Sequence, residues 1–196
     1  IRRQRQMCIR DSYSTIKQGL VMFSSDKILQ EVSYLLSLNG NRMNLLKLMK
    51  ELYLIDRLSI EERESSVSGD VFFSMRHGPV LSQTLNMCYD LPNNEWSEYL
   101  DQITAKFYPD IAIKKPAGTG LLSLKEKEYI EKISAQFMDY TPRQLEDYTH
   151  KLPEWAPLTS GRKKIRFSDI MRALGRSEEE IAEAKAEYEA FNSFCE

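Results

Sequence analysis

Two histidines and three cysteines are the side chains of this sequence best suited to acid–base, nucleophilic or metal chemistry. His77 and His150 could form a general base and its partner, because imidazole titrates near neutral pH. No serine or cysteine lies in a motif typical of an activated nucleophile. We therefore expect each histidine to bond to local backbone groups, and the sequence predicts no catalytic residue and no enzyme activity.

Metal and cofactor binding have equally little support. A zinc site needs about four ligands, yet Cys88 and Cys195 are far apart and neither belongs to a CxxC pair. A site could assemble only through the fold. The sequence also contains no P-loop, GxGxxG or HExxH motif. We expect no metal and no cofactor.

Charged residues lie in and beside the apolar segment Leu45–Ile55. Burying Lys47 or Asp56 without a partner would be unfavourable, so both must reach a partner or the surface. Asp56 and Arg57 could form a functional ion pair. Such a pair more often ties a helix end to its neighbour, and an exposed one contributes only about 0–1 kcal/mol.

The first twelve residues differ in character from the rest. Gln6–Ser12 resembles the translated end of a sequencing-library adaptor, so we expect residues 1–12 to be non-native and to lack tertiary contacts. They carry four arginines and one aspartate, and without them the net charge moves from −2 to −5. This acidic balance argues against a nucleic-acid partner, because affinity for phosphates depends on clustered lysine and arginine.

Composition is that of a globular protein, with 42% hydrophobic and 29% charged residues. No apolar run approaches the roughly 18 residues that a membrane span requires. Scattered cysteines are typical of reduced thiols in a cytoplasmic protein. We therefore expect a cytoplasmic protein without membrane contact, and homo-oligomerisation stays open.

Apolar spacing places one helix at the centre of the fold. A first helix is predicted with Ser24 or Ser25 as its N-cap, and Asn39 with Gly40 ends it. A second is predicted from Met43 to Glu62, and its first half is apolar on nearly every side. A helix of that kind is covered by other elements, so we expect it to be the central one.

Short extended segments predict a small antiparallel sheet. Val71–Met75 has the composition of a strand, and Pro79 suits the first position of a following helix. Ile111–Lys115 and Gly120–Leu122 flank a Pro-Ala-Gly-Thr turn, which predicts a hairpin. Residues 95–103 fit a helix face but form a short segment.

The C-terminal part begins with the only basic cluster outside residues 1–12. A nucleic-acid-binding patch would be expected to have aromatic residues between its basic ones. Arg162–Lys164 and Arg166 have none, so we interpret them as a solvated hinge. An acidic helix from Ser177 to about Phe194 follows. The predicted division is residues 1–12, a domain over 13–160, and a helical extension over 161–196 packed on that domain. The predicted fold is mainly α (α+β), with about seven helices.

Three segments in order resemble the Panacea-domain (SocA-like) antitoxin family. The first is similar to a helix of the family that carries Lys-Leu, then tyrosine, then aspartate. The second is similar to its strand that leads into Gly-Pro-Val. The third is similar to a stretch in which Thr-His is followed by Pro-Trp. The segments are Met43–Arg57, Val67–Val80 and Leu145–Trp155. The resemblance extends from about Asp26 to Trp155. One departure is Glu154, which stands between Pro153 and Trp155 where the family has proline directly before tryptophan.

The resemblance implies an antitoxin of a bacterial or prophage toxin–antitoxin system, which binds a toxin encoded by a neighbouring gene. The matched motif positions, with an expected structural role, are Lys47, Tyr53, Asp56, Gly69, Gly78, Pro79, Val80 and His150. The candidate partner-binding residues beside these motifs are Arg57, Arg76, His77 and Trp155. A DNA-binding regulator of its own operon, or a phage-associated regulatory protein, is the alternative. The glutamates of the last helix argue against a recognition helix.

Overall fold

The computed structural model describes residues 22–184 and 186. The adaptor-like segment, Cys8, Cys195 and the end of the last helix lie outside the described residues. The α-helices are α1 (Ser25–Leu38), α2 (Leu45–Arg63), α3 (Ser82–Tyr89), α4 (Leu124–Phe137), α5 (Pro142–Thr149) and α6 (Phe167–Ala173). Residues 178–184 are also helical, and two 3-10 turns span Leu91–Asn93 and Glu95–Glu98.

Six short strands form two antiparallel sheets of three strands each. The strands are β1 (Arg42–Asn44), β2 (Phe72–Met75), β3 (Gly78–Leu81), β4 (Leu100–Ile103), β5 (Asp110–Ile113) and β6 (Lys163–Ile165). The strand orders are β1-β5-β4 and β3-β2-β6. The mainly α fold with minor antiparallel β-structure is confirmed, although the strands form two sheets rather than one.

Helix α2 is the centre of the molecule, as its apolar sequence predicts. It packs against α4, α5, α6 and β3. Residues Leu48–Asp56 are all buried, including the charged ones among them. Asn44 begins the helix, since its side-chain oxygen accepts a hydrogen bond from the Leu46 N–H at 3.1 Å. Elements from both sheets and four helices therefore share one core.

The predicted hairpin of Ile111–Lys115 with Gly120–Leu122 is wrong. Strand β5 pairs with β4 on one side and with β1 on the other, so that Ile111 lies opposite Gln102 and Met43. Residues 120–122 are turn and bend instead of strand. The Pro-Ala-Gly-Thr turn predicted pairing with the segment that follows, but β5 pairs instead with β4, which precedes it, and with β1, which is distant in sequence.

Two other elements differ from their predictions. Pro79 lies within β3, and α3 begins only at Ser82. Strand β3 is at the end of its sheet, where proline is tolerated because its missing N–H can face away from the ladder. The expected basic hinge contains strand β6, which pairs with β2. No described helix has the length and apolarity that crossing a bilayer requires.

Candidate partner-binding surface

The β2–β3 hairpin turn projects from the region where α2 meets α5. Its register pairs Met75 with Gly78, so Arg76 and His77 form a two-residue turn. Gly78 has φ +96°, and a Cβ there would lie 2.9 Å from both Lys50 Nζ and Thr149 Oγ1. Position 78 therefore requires glycine, because its backbone has a positive φ and a side chain would clash with Lys50 and Thr149.

Lys50 of α2 supports this turn from below. Its side chain is fully buried, and Nζ donates a hydrogen bond to the Pro79 carbonyl at 2.8 Å. Burial lowers the pKa of Lys50 to about 7, and the neighbouring Glu146 opposes this shift. The hairpin is thus joined directly to the central helix.

Glu146 of α5 connects the turn to the opposite side. Its Oε1 lies 2.8 Å from His77 Nδ1, and its Oε2 accepts a hydrogen bond from Arg143 Nη1 at 3.2 Å. The Glu146 side chain is only 5% exposed, whereas that of His77 is 44% exposed. The buried carboxylate therefore fixes a ring that still faces solvent.

His150 and Trp155 form the second support. Their rings stack with centroids 4.0 Å apart at an interplanar angle of 8°. Trp155 Nε1 donates to the Met75 carbonyl at 3.1 Å, beside the turn. Burial lowers the pKa of His150, which favours the neutral ring. Trp155 is therefore partly buried and holds its loop against the hairpin.

Arg57 lies elsewhere and is engaged within the fold. Its Nε donates to Glu154 Oε1 at 2.7 Å, and the same oxygen accepts from the Tyr53 hydroxyl at 3.0 Å. The Glu154 side chain has no exposed area. The residue that departs from the family pattern thus connects the loop before Trp155 to α2.

The other motif positions stabilise the fold around α2. Asp56 is buried and accepts hydrogen bonds from the Val67 and Ser68 N–H groups and from the Ser68 hydroxyl. Burial raises the pKa of Asp56 to about 6, although these hydrogen bonds act to lower it. Lys47 Nζ donates to the Met138 carbonyl at 2.8 Å. Both charges reach partners, as their position in an apolar helix predicts.

Gly69 and Val80 complete the matched positions. Gly69 has φ +65° in the turn before β2, a conformation that glycine adopts without strain. Val80 is 7% exposed within β3. These two positions therefore contribute to the shape of the hairpin.

Aromatic residues that the sequence analysis did not single out lie beside the turn. The His77 and Tyr108 rings are 5.9 Å apart. Burial raises the pKa of Tyr108, Tyr89 and Glu146 act in the same direction, and Arg76 opposes the shift. Phe107 is 84% exposed. We call the group formed by Arg76, His77, Tyr89, Phe107 and Tyr108 the hairpin surface.

Buried charge is the second feature that the sequence analysis missed. Glu31 and Glu51 are fully buried, and their carboxylate oxygens have no hydrogen-bond partner within the described residues. Burial raises the pKa of Glu51 to about 7 and that of Glu31 well above its ordinary value. The helical spacing of Glu31 among Ile28, Val32 and Leu35 was the available signal.

The residues exposed at the hairpin are of types suited to recognition. Within the described residues, no group of three or more His, Cys, Asp or Glu side chains is arranged to hold a metal ion. Cys88 is buried, and burial raises its pKa to about 12, which suppresses the thiolate. The hairpin surface presents an arginine, a histidine and three aromatic side chains, beside a turn held by hydrogen bonds from Lys50 and Trp155. Such residues are enriched where proteins bind other proteins.

A comparison with models of protein families found a match. A family model described as antitoxin SocA-like, Panacea domain, matches residues 48–156. The matched span begins within α2, includes the hairpin surface and ends just after Trp155. No curated protein and no solved structure matches the chain.

Proposed function

Because the chain belongs to the SocA-like antitoxin family with a Panacea domain, we propose that it neutralises a cognate toxin by binding it directly. The toxin is a protein encoded by a neighbouring gene of a bacterial or prophage system, and the encounter takes place in the cytoplasm. Neutralisation by binding needs no catalytic step and no cofactor. The observation that carries this proposal is the family match over residues 48–156.

We place the toxin contact on the hairpin surface. An antitoxin must bury a sizeable interface, typically about 1,200–2,000 Å² in total. Its binding energy is usually concentrated in a few aromatic and arginine residues held in fixed positions. Phe107 and Arg76 are exposed, while Lys50 and Glu146 hold the turn from beneath. A surface fixed in advance loses less conformational entropy on binding.

Arg57 and Trp155 have a different part in this proposal. Arg57 pairs with Glu154, and Trp155 is stacked on His150. Both support the loop and hairpin that carry the surface. Their replacement should reduce binding mainly by loosening this support.

Regulation of its own operon through DNA binding is less well supported. A recognition helix presents arginine, lysine, asparagine or glutamine to base edges. Helical residues 178–184 instead include Glu178, Glu179, Glu180 and Glu183. Sequence-specific, salt-sensitive retardation of the upstream DNA by the isolated protein would favour this alternative.

Co-expression tests the proposed function. The neighbouring gene is expressed alone and together with this chain, and growth and co-purification are measured. We expect the neighbour to stop growth alone, and the chain to restore growth and to co-purify with it. A harmless neighbour, or one that stays toxic and unbound beside abundant folded protein, would refute the proposal.

A further inference from the structure

A concave region lies beside strand β6. It is a groove of about 800 Å³, within the range of sites that hold ligands. Its walls come from the Trp155 loop, β6 and α6. The lining residues used below are Glu154, Trp155, Lys163, Lys164, Arg166 and Asp169.

The groove has an excess of unpaired positive charge. Lys163, Lys164 and Arg166 are exposed, and none of them forms an ion pair with another described residue. The two acidic side chains are already engaged. Glu154 binds Arg57, and Asp169 accepts a hydrogen bond from the Arg166 N–H at 2.9 Å. Anionic groups would therefore meet cations for which no acidic side chain competes within the part of the chain that the structure describes.

Strand β6 also has one free edge. It lies at the end of the order β3-β2-β6 and pairs with β2 alone among the described strands. Lysine on an edge strand discourages pairing between identical copies, because like charges would face each other. The same lysines favour a strand that carries carboxylates, so charge selects an acidic partner strand over a second copy of this chain.

We propose that this groove binds an acidic, extended segment of a partner protein, which adds to the free edge of β6. Backbone hydrogen bonds to β6 would supply affinity, as in other strand additions. Because successive side chains of a strand point to opposite faces, carboxylates on one face of the segment would meet Lys164 and Arg166, and Lys163 would lie on the other face. The inference goes beyond toxin neutralisation, because it concerns a separate surface and holds whichever protein carries the segment.

The test uses a labelled synthetic decapeptide of alternating glutamate and threonine, titrated with the whole chain and followed by fluorescence anisotropy. We expect saturable binding and a change in Trp155 emission, since Trp155 lines the groove and Trp96 is fully buried. Amide exchange at Lys163–Ile165 should slow on binding, as strand addition requires. A decapeptide of alternating lysine and threonine should not bind.

Charge reversal gives the matched comparison. The double variant Lys163→Glu/Lys164→Glu should weaken binding by about tenfold or more, because it replaces attraction by repulsion. Lys125→Glu/Lys132→Glu makes the same charge change at exposed positions of α4 and should bind as the unmodified chain does. Circular dichroism checks that both variants are folded.

Three results would overturn the proposal. One is the absence of saturable binding to the glutamate peptide. Another is equal weakening by both double variants, which would show only a general charge effect. The third is tighter binding of a single-stranded oligonucleotide than of the peptide, without slower exchange at β6, which would assign the groove to nucleic acid.

Discussion

Gly78 combines two requirements at one residue, a left-handed backbone and a lack of space for a side chain. Gly118 has a similar φ of +80°, but a Cβ added there would meet no atom within 4 Å. We expect Gly78→Ala to lower the free energy of unfolding by about 1–3 kcal/mol more than Gly118→Ala, because only the former overpacks a buried site. Urea unfolding of both variants measures the difference, and equal losses would contradict it.

Lys50 should make stability depend on pH. Its pKa is about 7 in the folded chain against an ordinary 10.5, so between these values the unfolded chain binds an extra proton. Stability should therefore rise with pH above 7, by at most about 1.4 kcal/mol per unit. The Cys88 thiol, whose pKa is raised in the folded chain, lowers stability only at a pH where the unfolded thiol ionises. Its effect is therefore small below pH 8.5.

The measurement is urea unfolding between pH 7 and 8.5 for the unmodified chain and Lys50→Met. Methionine is similar in length and carries no charge, so the variant should lack the contribution of Lys50 to the rise. The other titrating groups remain in both proteins and cancel in the comparison. Parallel stability curves would show that Lys50 is not the source.

At single residues, the sequence predicted some partners and not others. Lys47 and Asp56 were expected to need partners, and both have them. Lys50 and Glu146 were not recognised as supports of the turn, because their contact arises only when α2, α5 and β3 pack together. Glu154 was recognised only as a departure from the family's Pro-Trp motif. Its hydrogen bonds to Arg57 and Tyr53 join residues about a hundred positions apart in the chain, so the local sequence could not predict them.

Helix α2 depends on the cap at its start. The Asn44 side chain accepts from the Leu46 N–H and donates to the Tyr108 carbonyl at 3.0 Å. It therefore joins the central helix to the segment that carries Tyr108. We expect Asn44→Ala to destabilise the chain by about 1–2 kcal/mol.

Ser24→Ala is the matched comparison, at the start of α1. The Ser24 hydroxyl accepts a single hydrogen bond, from the Lys27 N–H at a long 3.4 Å. Ser24→Ala should therefore lose less stability than Asn44→Ala. Thermal unfolding of the two variants gives the order. A larger loss for Ser24→Ala would show that the Asn44 bonds contribute little.

Local pattern predicted elements well where burial and periodicity agree. The apolar α2 and the strand Phe72–Met75 were both recognised. Failures occurred where tertiary pairing decided the outcome: β5 pairs with β1 and β4, and Pro79 lies in a strand at the end of its sheet rather than in a helix. Proline suits both places, so its sequence position alone could not distinguish them.

For the molecule as a whole, the hairpin surface should govern binding to the toxin. We expect Phe107→Ala and Arg76→Ala each to weaken the complex by about 2 kcal/mol, about 30-fold in affinity, as replacement of a central contact does. Leu124→Ala is the control, because Leu124 is 81% exposed, close to the 84% of Phe107, but lies on α4. Biolayer interferometry with the purified partner compares them. Equal effects of Phe107→Ala and Leu124→Ala would place the interface elsewhere.

Direct binding is measured by calorimetric titration of the purified product of the neighbouring gene with this purified chain. We expect saturable binding at a fixed stoichiometry with no other component present. A titration that shows no binding between the two folded proteins, in a system where co-expression still restores growth, would contradict direct binding.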